Sequence, residues 1–285
     1  MTVLVASIGV GTPAVAPLPH RRPLVLEQTV RYDYGVPVTR LHQRLVTVPP
    51  AVHGAQRRRR WSITVTGDQP AVPHRRRTHR DPFGNHVVEL DLPRVDEWVA
   101  FDCRVAVDHA VTGPHLVPRD PRFLAASALT APSDEVRDLV AGAGSVADIV
   151  ARTHRAITYE WGVTGVRTTA TEALQVGRGV CQDYAHVMIA ACRVAGIAAR
   201  YVSGHLVGEG GSHAWVEVLT PGPGHPGHRL VEAWDPTHDR RAGDGYLTVA
   251  VGRDYADVAP LSGTYVADHP ADDLTVTKRL FRPTR

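Results

Sequence analysis

Strand-like segments fill residues 25–110, and helical patterns begin only after them. Five segments have the β-branched and aromatic content and the alternating pattern of strands: LEQTVRYDY, TRLHQRLVTV, RRWSITVTG, HVVELDL and WVAFDCRVAVD. Pro, Gly and Asp residues that favour turns separate them, as in DPFGN at 81–85. Short strands broken by turns are typical of a β-sandwich, so the first part of the chain predicts an all-β domain.

A Pro-rich stretch at 118–132 follows the strands and has the composition of a linker. Beyond it, Ser133 and Ser145 stand directly before the helical segments DEVRDLV and VADIVARTHRAI, where their hydroxyls would cap the first turn. Few contacts usually cross such a linker, so we expect proteolysis to separate the two halves. The expected organisation has three parts: a flexible extension at 1–24, a β-rich domain at 25–117 and a domain of helices and strands at 133–285.

The segment GRGVCQDYAH places Cys181 at the start of a helix. Gly177 and Gly179 interrupt the chain before this helix, and Gly196 supplies a stop after it. Unpaired backbone N–H groups and the positive end of the helix dipole would stabilise a thiolate at Cys181. Core packing is the alternative, because free cysteine is among the most buried residue types. It is supported by an apolar stripe along one helix face: Cys181, Ala185, Met188, Ile189, Cys192 and Ala195.

Two strand-like segments downstream supply a histidine and an aspartate. HAWVEVL alternates with period two, which places His213, Trp215 and Glu217 on one face. HRLVEAWDPT follows as the next strand and ends at the Asp-Pro turn of Asp235. Adjacent antiparallel strands could hold both residues beside the helix of Cys181, so that the imidazole accepts the thiol proton and the carboxylate orients the imidazole. The alternatives are an ordinary histidine and a simple turn aspartate.

Together these segments resemble the bacterial transglutaminase-like family, whose members are often labelled as cysteine proteases. The resemblance covers about residues 144–266 and rests on TEALQVGRGVCQDYAHVMIAACRVAGIAARYVSGHL, SHAWVEV, WDPTHD and VAVGRDYADVAPLSG. YDYGVPV, LHQRLVTVPP and DPFGN resemble the β-rich N-terminal region that accompanies this domain in bacteria. The resemblance implies an α+β fold, a papain-like transglutaminase core preceded by an N-terminal β-sandwich. It also implies Cys181 as nucleophile, His213 as base and Asp235 as the residue that orients the base.

The same resemblance suggests further site residues. Gln175 lies six residues before the nucleophile, where papain-like enzymes carry an oxyanion-hole glutamine. Transglutaminase-like proteins often use other groups, and a solvent-facing helical Gln is the favoured alternative. The backbone amide of Cys181 is the other candidate oxyanion donor. Gln182 and Trp215 are expected to line the site. After DPT this chain continues HDRR, where relatives often have Asn, so substrate contacts at this point are not transferable.

The cysteines indicate a reducing environment. Cys103 alternates with Val and Phe residues in WVAFDCRVAVD and is expected to face the core of its strand. Cys192 lies eleven residues beyond Cys181 on the same helix, roughly 16 Å away at 1.5 Å per residue, so these two cannot pair. An odd cysteine count and a reduced nucleophile favour the cytoplasm. The opening segment has an A-V-A before Pro17 but no basic n-region, and no run of about eighteen apolar residues predicts a membrane helix.

Arginine is concentrated in one part of the chain. Residues 57–80 carry eight Arg and one acid, a local charge of +7 in a chain whose net charge is +3. We expect RRRRW and HRRRTHR on neighbouring strands, where facing Arg side chains repel each other unless they turn into solvent or bind an anion. A solvated hairpin is favoured over a nucleic-acid surface, because nucleic-acid binders interleave such patches with exposed aromatics and only Trp61 is nearby.

No metal or other cofactor is expected. His225, His228 and His238 lie close in sequence, but PGPGHPGH reads as a flexible turn without a second fixed pair of ligands. Neither an HExxH segment nor a calcium loop occurs in the sequence.

The expected chemistry is acyl transfer through a thioester on Cys181. Hydrolysis of an amide bond in a peptide or protein is favoured, and protein-glutamine transamidation is second. Lys278 is the one lysine of the chain, which argues against cross-linking of the protein to itself. The rival from another class is a non-catalytic module whose Arg-rich β domain binds an acidic partner, but the presence of all three catalytic residue types favours the enzyme.

Overall fold

The computed structural model describes residues 22–69, 72–109, 115–222, 224, 226–268 and 273–283. Most of the extension expected at 1–24 lies outside these residues, and its last three residues begin the first strand. In the described parts of the chain, no helix is long and apolar enough to cross a membrane.

The N-terminal half forms antiparallel strands, as the alternating segments predict. In chain order they are β1 (Arg22–Asp33), β2 (Val38–Val48), β3 (Val52–His53), β4 (Gln56–Gly67), β5 (Arg75–Arg80), β6 (His86–Val95) and β7 (Trp98–His109). Alternation is clearest in β7, where Val99, Phe101, Cys103, Val105 and Val107 are buried; Ala100 is also buried. The inward core position predicted for Cys103 is therefore confirmed.

The second half combines a sheet with helices. Its elements are β8 (His115–Pro118), two short 3-10 helices (Pro121–Phe123 and Ala128–Thr130), α1 (Asp134–Val140), α2 (Val146–Ala156), β9 (Thr158–Tyr159), α3 (Ala170–Val176), β10 (Arg178–Gly179), α4 (Cys181–Val194), β11 (Ala198–Leu206), β12 (His213–Pro221), β13 (His228–Asp235), β14 (Arg240–Arg241), β15 (Tyr246–Gly252) and α5 (Tyr255–Val258). Ser133 and Ser145 cap α1 and α2 as predicted, because their hydroxyls accept the backbone N–H of Val136 and Asp148.

Two further strands, β16 (Leu261–Val266) and β17 (Asp273–Phe281), return to the N-terminal half. β17 pairs with β1 and β16 pairs with β2, both antiparallel. The sandwich therefore consists of a five-stranded sheet, β17-β1-β7-β4-β3, and a four-stranded sheet, β16-β2-β6-β5. The last two strands thus belong to the sandwich sheets, whereas the expected boundaries of 133–285 put them in the second domain.

The expected linker is also packed into the protein. β8 pairs with β13, which gives the second half a sheet of order β14-β13-β12-β11-β15 with β8 beside β13. Within the stretch 118–132, Phe123 and Thr130 are buried. Arg193 of α4 donates to the carbonyl of Phe123 at 3.1 Å and also to the hydroxyl of Thr130. The stretch is therefore a packed connection, because its backbone and side chains satisfy a partly buried guanidinium.

Two side-chain amides join the sandwich to β15. Gln56 donates to the carbonyl of Thr248 at 2.8 Å and accepts the N–H of the same residue at 3.0 Å. Asn85 makes the same pair of hydrogen bonds with Val251, each at 2.8 Å. Each amide replaces a missing strand partner, so the polar backbone of β15 is satisfied at the boundary between the two halves.

The Arg-rich segments lie on different sheets. β4 carries residues 57–60 and pairs with β3 and β7, whereas β5 is the exposed edge strand of the other sheet and pairs with β6. The expectation of neighbouring strands is therefore wrong: the chain crosses between sheets at this point. The guanidinium carbons of Arg58 and Arg76 lie 5.6 and 4.6 Å from the ring centre of Trp61, so these cations stack on an aromatic ring.

Helix α4 is the centre of the second half. The sequence predicts an apolar stripe, but residues 182–192 are buried on every side of the helix. Helices α1, α2 and α3 pack around it, and β11 and β12 cover the remaining side. Gly196, with φ of +74°, follows the end of the helix as predicted. This enclosure holds the first residue of the helix, Cys181, in a fixed position.

Candidate active site

Cys181 follows a tight turn at the start of α4. A Cβ atom on Gly179 would lie 2.4 Å from Oδ2 of Asp183, so glycine is required at this approach. The same carboxylate oxygen accepts the N–H of Val180 at 2.8 Å and the hydroxyl of Thr164 at 2.7 Å. The first N–H groups of a helix have no intrahelical acceptor, so the thiol and the amide of Cys181 lie at the positive end of α4.

A loop at 160–168 lies beside the start of α4. The buried Gln182 donates from Nε2 to the carbonyl of Gly165 at 3.1 Å. This residue was expected to line the site, and its hydrogen bond holds the loop against the helix. Trp161 in the same loop is 83% exposed, and Tyr159 just before it is also exposed. The loop and the strand before it therefore present aromatic side chains to solvent near the start of the helix.

His213 is the first residue of β12 and is buried. Its Nε2 lies 2.7 Å from Oδ2 of Asp235 on the adjacent β13, which leaves Nδ1 for the thiol. Burial alone would lower the pKa of His213, but hydrogen bonds and charges from Asp235 and Cys181 outweigh burial and raise this pKa to about 10. The imidazolium is therefore favoured, which is the form that stabilises a neighbouring thiolate.

Asp235 ends β13 and is 0% exposed. Besides the imidazole, its Oδ2 accepts the Tyr246 hydroxyl at 2.7 Å and Nδ1 of His238 at 2.8 Å. Its Oδ1 accepts the N–H of Thr237 at 2.9 Å. Burial alone would raise the pKa of this carboxyl, yet these donors, with His213 foremost, hold the pKa well below its ordinary value. The structure thus brings the predicted aspartate and histidine together as an ionised, hydrogen-bonded pair.

Trp215 supports the imidazole ring. The rings of Trp215 and His213 stack with their centres 6.1 Å apart, and Tyr246 meets the indole edge-on at 5.3 Å. A Cβ atom on Gly204 would lie 2.4 Å from the indole, so glycine on β11 makes room for the ring. The sequence predicted that Trp215 lines the site. Because its indole is buried, Trp215 instead packs beneath the site.

Two residues outside the predicted site lie against His213. Glu209, in the turn between β11 and β12, places Oε2 3.3 Å from Nδ1 of His213. Its Oε1 lies 3.6 Å from Nε2 of His238. The sequence contains one signal for each: an acid in a Gly-rich loop just before the histidine strand, and a histidine where relatives often have Asn after DPT.

Lys278 is a cation of the sandwich within electrostatic reach of the site. It lies on β17, opposite Gln28 of β1. Burial lowers the pKa of Lys278, and the charge of Cys181 opposes this effect, so the ammonium is within electrostatic reach of the thiol. No local pattern could have found Lys278, because its position depends on the pairing of the last strand with the first.

Gln175 is not part of the site. It is exposed on α3, and its Nε2 donates to Oε1 of Glu135 at 2.8 Å. The left-handed turn at Gly177, with φ of +64°, ends α3 and separates it from the strand that leads to the nucleophile. Of the two oxyanion donors considered, the backbone amide of Cys181 is therefore the one at the site.

The histidines considered as metal ligands have different environments. His225 lies outside the described residues, and His228 begins β13, where it is paired with β8. Ligand atoms of His213, Asp235 and His238 lie within 4.8 Å of one another, which is close enough to hold a metal ion. Both imidazoles already bond to the same oxygen of Asp235, so a metal would have to replace the hydrogen bonds that orient the base.

Comparison with known proteins supports the assignment of both halves. Residues 133–229 match the model of the transglutaminase-like superfamily, and residues 24–108 match that of the bacterial transglutaminase-like N-terminal region. An uncharacterized protein of Mycobacterium leprae is 33% identical over 239 residues, which covers 78% of this chain and 79% of that protein. An uncharacterized protein of Mycobacterium tuberculosis is 40% identical over 127 residues, or 41% of this chain and 40% of that protein.

One solved structure has the same fold along nearly the whole chain. It is the "Putative Cysteine Protease" from Cytophaga hutchinsonii, with a TM-score of 0.71, 18% sequence identity and coverage of 93% of both chains. The shared fold includes the sandwich as well as the helix-containing half, in agreement with the sequence resemblance. The chain therefore belongs to the bacterial transglutaminase-like family, with a transglutaminase-like core preceded by the β-rich N-terminal region of that family.

Proposed function

We propose that this protein is a cysteine-dependent enzyme that cleaves peptide or amide bonds through a thioester on Cys181. The observation that carries the proposal is the hydrogen bond between Nε2 of His213 and Asp235, which directs Nδ1 away from Asp235 and makes it the nitrogen that can serve a thiol at a helix start. A thiol, an imidazole and a buried carboxylate in this order have the roles of nucleophile, base and orienting group.

The proposed reaction begins when Nδ1 of His213 accepts the thiol proton. The thiolate of Cys181 attacks the amide carbon, and the electron pair of the carbonyl moves to oxygen, near the backbone N–H of the same cysteine. Collapse of this intermediate breaks the C–N bond, and the amine leaves with the proton from Nδ1. Water then gives a proton to His213 and attacks the thioester, which releases the acid and the thiolate. Asp235 stabilises the imidazolium at each stage.

Hydrolysis is the proposed outcome, with a peptide or protein as substrate. Transfer to an amine by the same residues is the second candidate, and the balance depends on how well the loaded site excludes water. A cytoplasmic location fits the three free cysteines, because reduced thiols persist in that compartment.

The proposal is tested by mass spectrometry of the intact protein mixed with p-nitrophenyl acetate. We expect one acetyl group on Cys181 of the wild type and none on the Cys181→Ala variant. Cys103→Ala is the matched control, because this buried thiol lies in the sandwich core and its loss should leave acetylation unchanged. Absence of acetylation, or acetylation at another cysteine, would contradict the proposal.

Polyanion binding by the Arg-rich strands is the candidate from a different class. Arg59 pairs with Asp108 and Arg77 with Glu89, whereas Arg60 and Arg80 have no acidic partner among the described residues. This surface would bind heparin or duplex DNA with an affinity that falls steeply between 50 and 200 mM salt, by roughly 10³-fold or more for six phosphate contacts. Such binding together with an unreactive Cys181 would favour the binding module over the enzyme.

A further inference from the structure

Glu209 closes a ring of alternating carboxylates and imidazoles at the site. His213 and His238 each present one ring nitrogen to Oδ2 of Asp235, at 2.7 and 2.8 Å. Their other nitrogens face the carboxylate of Glu209, at 3.3 and 3.6 Å. The two carboxylates differ in access to solvent: the side chain of Asp235 is 0% exposed and that of Glu209 is 35% exposed. Asp235 is therefore fixed in the interior, whereas Glu209 can contact a ligand.

Glu209 occupies the place that a leaving amine needs. In the proposed reaction, Nδ1 of His213 gives its proton to the amine that departs. An oxygen 3.3 Å from Nδ1 stands where the nitrogen of that amine must approach. The carboxylate of Glu209 must move away from this position when substrate binds, and it then loses its contact with the imidazolium of His213. A cation on the leaving half of the substrate would restore the lost interaction.

The loop that carries Glu209 has open space around it. Gly208, Gly210 and Gly211 flank the acid, and a Cβ atom at any of them would meet nothing within 4 Å. Gly208 has a φ of +94°, which a residue with a side chain rarely adopts. Although the backbone N–H of Glu209 donates to the carbonyl of Leu206 at 3.1 Å, the space around the flanking residues is open, so the carboxylate can shift without disturbing the core.

The neighbouring cation, Arg240, makes its hydrogen bond with another residue. Arg240 is within electrostatic reach of Glu209, but its Nε donates to the hydroxyl of Tyr246 at 3.0 Å. On the other side lies Tyr159, which is about half exposed. Its partial burial raises the pKa of its phenol, and the charges of Cys181 and Glu209 raise this pKa further. The carboxylate thus lies near the thiol, at a solvent-facing rim that includes an aromatic ring.

We propose that Glu209 is a specificity residue that selects substrates whose leaving amine carries a positive charge close to the scissile bond. Lys or Arg directly after that bond is the substrate class that fits. The inference rests on the proposed function, since it assigns Nδ1 of His213 to the leaving group. His238, which holds the other oxygen of Glu209, keeps the carboxylate directed at this position.

The test uses the reverse approach of an amine to the thioester, because the same position serves the leaving and the attacking amine. The enzyme is acetylated with p-nitrophenyl acetate and offered lysinamide or norleucinamide, whose α-amines are alike and whose side chains differ in charge. The neutral α-amine attacks the thioester carbon, the C–N bond forms, the C–S bond breaks, and the amine proton passes to His213. Mass spectrometry gives the ratio of acetylated amine to acetate.

The wild type should use lysinamide about five- to tenfold better than norleucinamide, which is the size of effect expected for a partly screened ion pair. Glu209→Gln should bring this preference close to one. Glu209→Lys should reverse it and favour the α-amide of glutamic acid over norleucinamide. Asp239→Asn is the matched control: Asp239 is an exposed acid next to His238 with no partner among the described residues, so the wild-type preference should remain.

Each other outcome counts against the inference. Equal use of the two amines by the wild type would overturn it, and so would a lysinamide preference that survives Glu209→Gln, while the thioester itself remained established. If the wild type forms no thioester at all, the proposed function fails and the inference fails with it.

Discussion

The hydroxyl of Tyr246 and the imidazole of His213 form hydrogen bonds with the same oxygen of Asp235, each at 2.7 Å. Tyr246 begins β15 and Asp235 ends β13, so the carboxylate is held from two separate strands. Arg240 donates in turn to the oxygen of Tyr246 at 3.0 Å, which orients the hydroxyl toward the carboxylate. Asp235 orients His213, and Tyr246 and Arg240 in turn orient Asp235.

Tyr246→Phe should weaken this orientation without removing it. The variant loses one hydrogen bond to a buried charge, so the free energy of unfolding should fall by about 1–3 kcal/mol. Thioester formation should slow by roughly three- to tenfold, since the imidazole keeps its carboxylate but with less constraint. Urea denaturation and stopped-flow acylation measure the two effects. Tyr255→Phe is the control: its hydroxyl has no hydrogen-bond partner among the described residues, and an equal loss of rate there would count against the role of Tyr246.

Asp235→Asn should keep the fold but remove the charge that stabilises the imidazolium and selects its tautomer. We expect the rate of thioester formation to fall by about two to four orders of magnitude. Circular dichroism checks the fold, and acylation by p-nitrophenyl acetate gives the rate. A folded variant with the wild-type rate would mean that another acid orients His213.

The His213–Asp235 pair also makes stability depend on pH. The pKa of His213 is raised from 6.5 to about 10, so its contribution is complete below pH 6.5 and is lost as the pH rises through about 10. The pKa of Asp235 is lowered from 3.8, so its contribution is present above that pH and is lost as the pH falls below it. The difference in unfolding free energy between wild type and Asp235→Asn should therefore be largest between about pH 4 and 6.5. Urea titrations from pH 3 to 10 test this, and a difference that does not vary with pH would contradict it.

A cut within 118–132 should not separate the two halves. The sequence suggested an open linker, but β16 and β17 lie C-terminal to the cut and remain paired with β2 and β1. The hydrogen bonds of Gln56 and Asn85 with β15 would also persist. After limited proteolysis, both fragments should elute together in size-exclusion chromatography and separate only in denaturant. Fragments that elute separately without denaturant would show that the halves are independent.

Local patterns singled out the three central residues, and the family resemblance assigned their roles. Cys181 was recognisable from the glycines before a helical pattern, His213 from period-two alternation, and Asp235 from the Asp-Pro turn at a strand end. Each of these signals depends on neighbours within about ten residues in sequence. The same kind of signal predicted the caps of α1 and α2 and the inward position of Cys103.

The remaining features depend on pairing between distant segments. Lys278 comes within electrostatic reach of the thiol because β17 pairs with β1, about 250 residues away along the chain. The Arg-rich strands belong to different sheets because of how the sandwich closes, which periodicity alone does not reveal. The oxyanion role considered for Gln175 rested on a six-residue spacing, which says nothing about the left-handed turn at Gly177 that lies within it.

The central claim is that Cys181 is the nucleophile, and labelling of the three thiols with iodoacetamide as a function of pH tests it most directly. Burial raises the pKa of Cys103 to about 11 and that of Cys192 to about 12, so both remain protonated near neutral pH. Peptide mapping should find Cys181 labelled at least about tenfold faster than the other two at pH 7, because only the thiolate reacts. His213→Ala should slow this labelling, since the variant lacks the cation that stabilises the thiolate. Equal labelling of all three cysteines in the folded protein, or an unchanged pH profile in His213→Ala, would contradict the account.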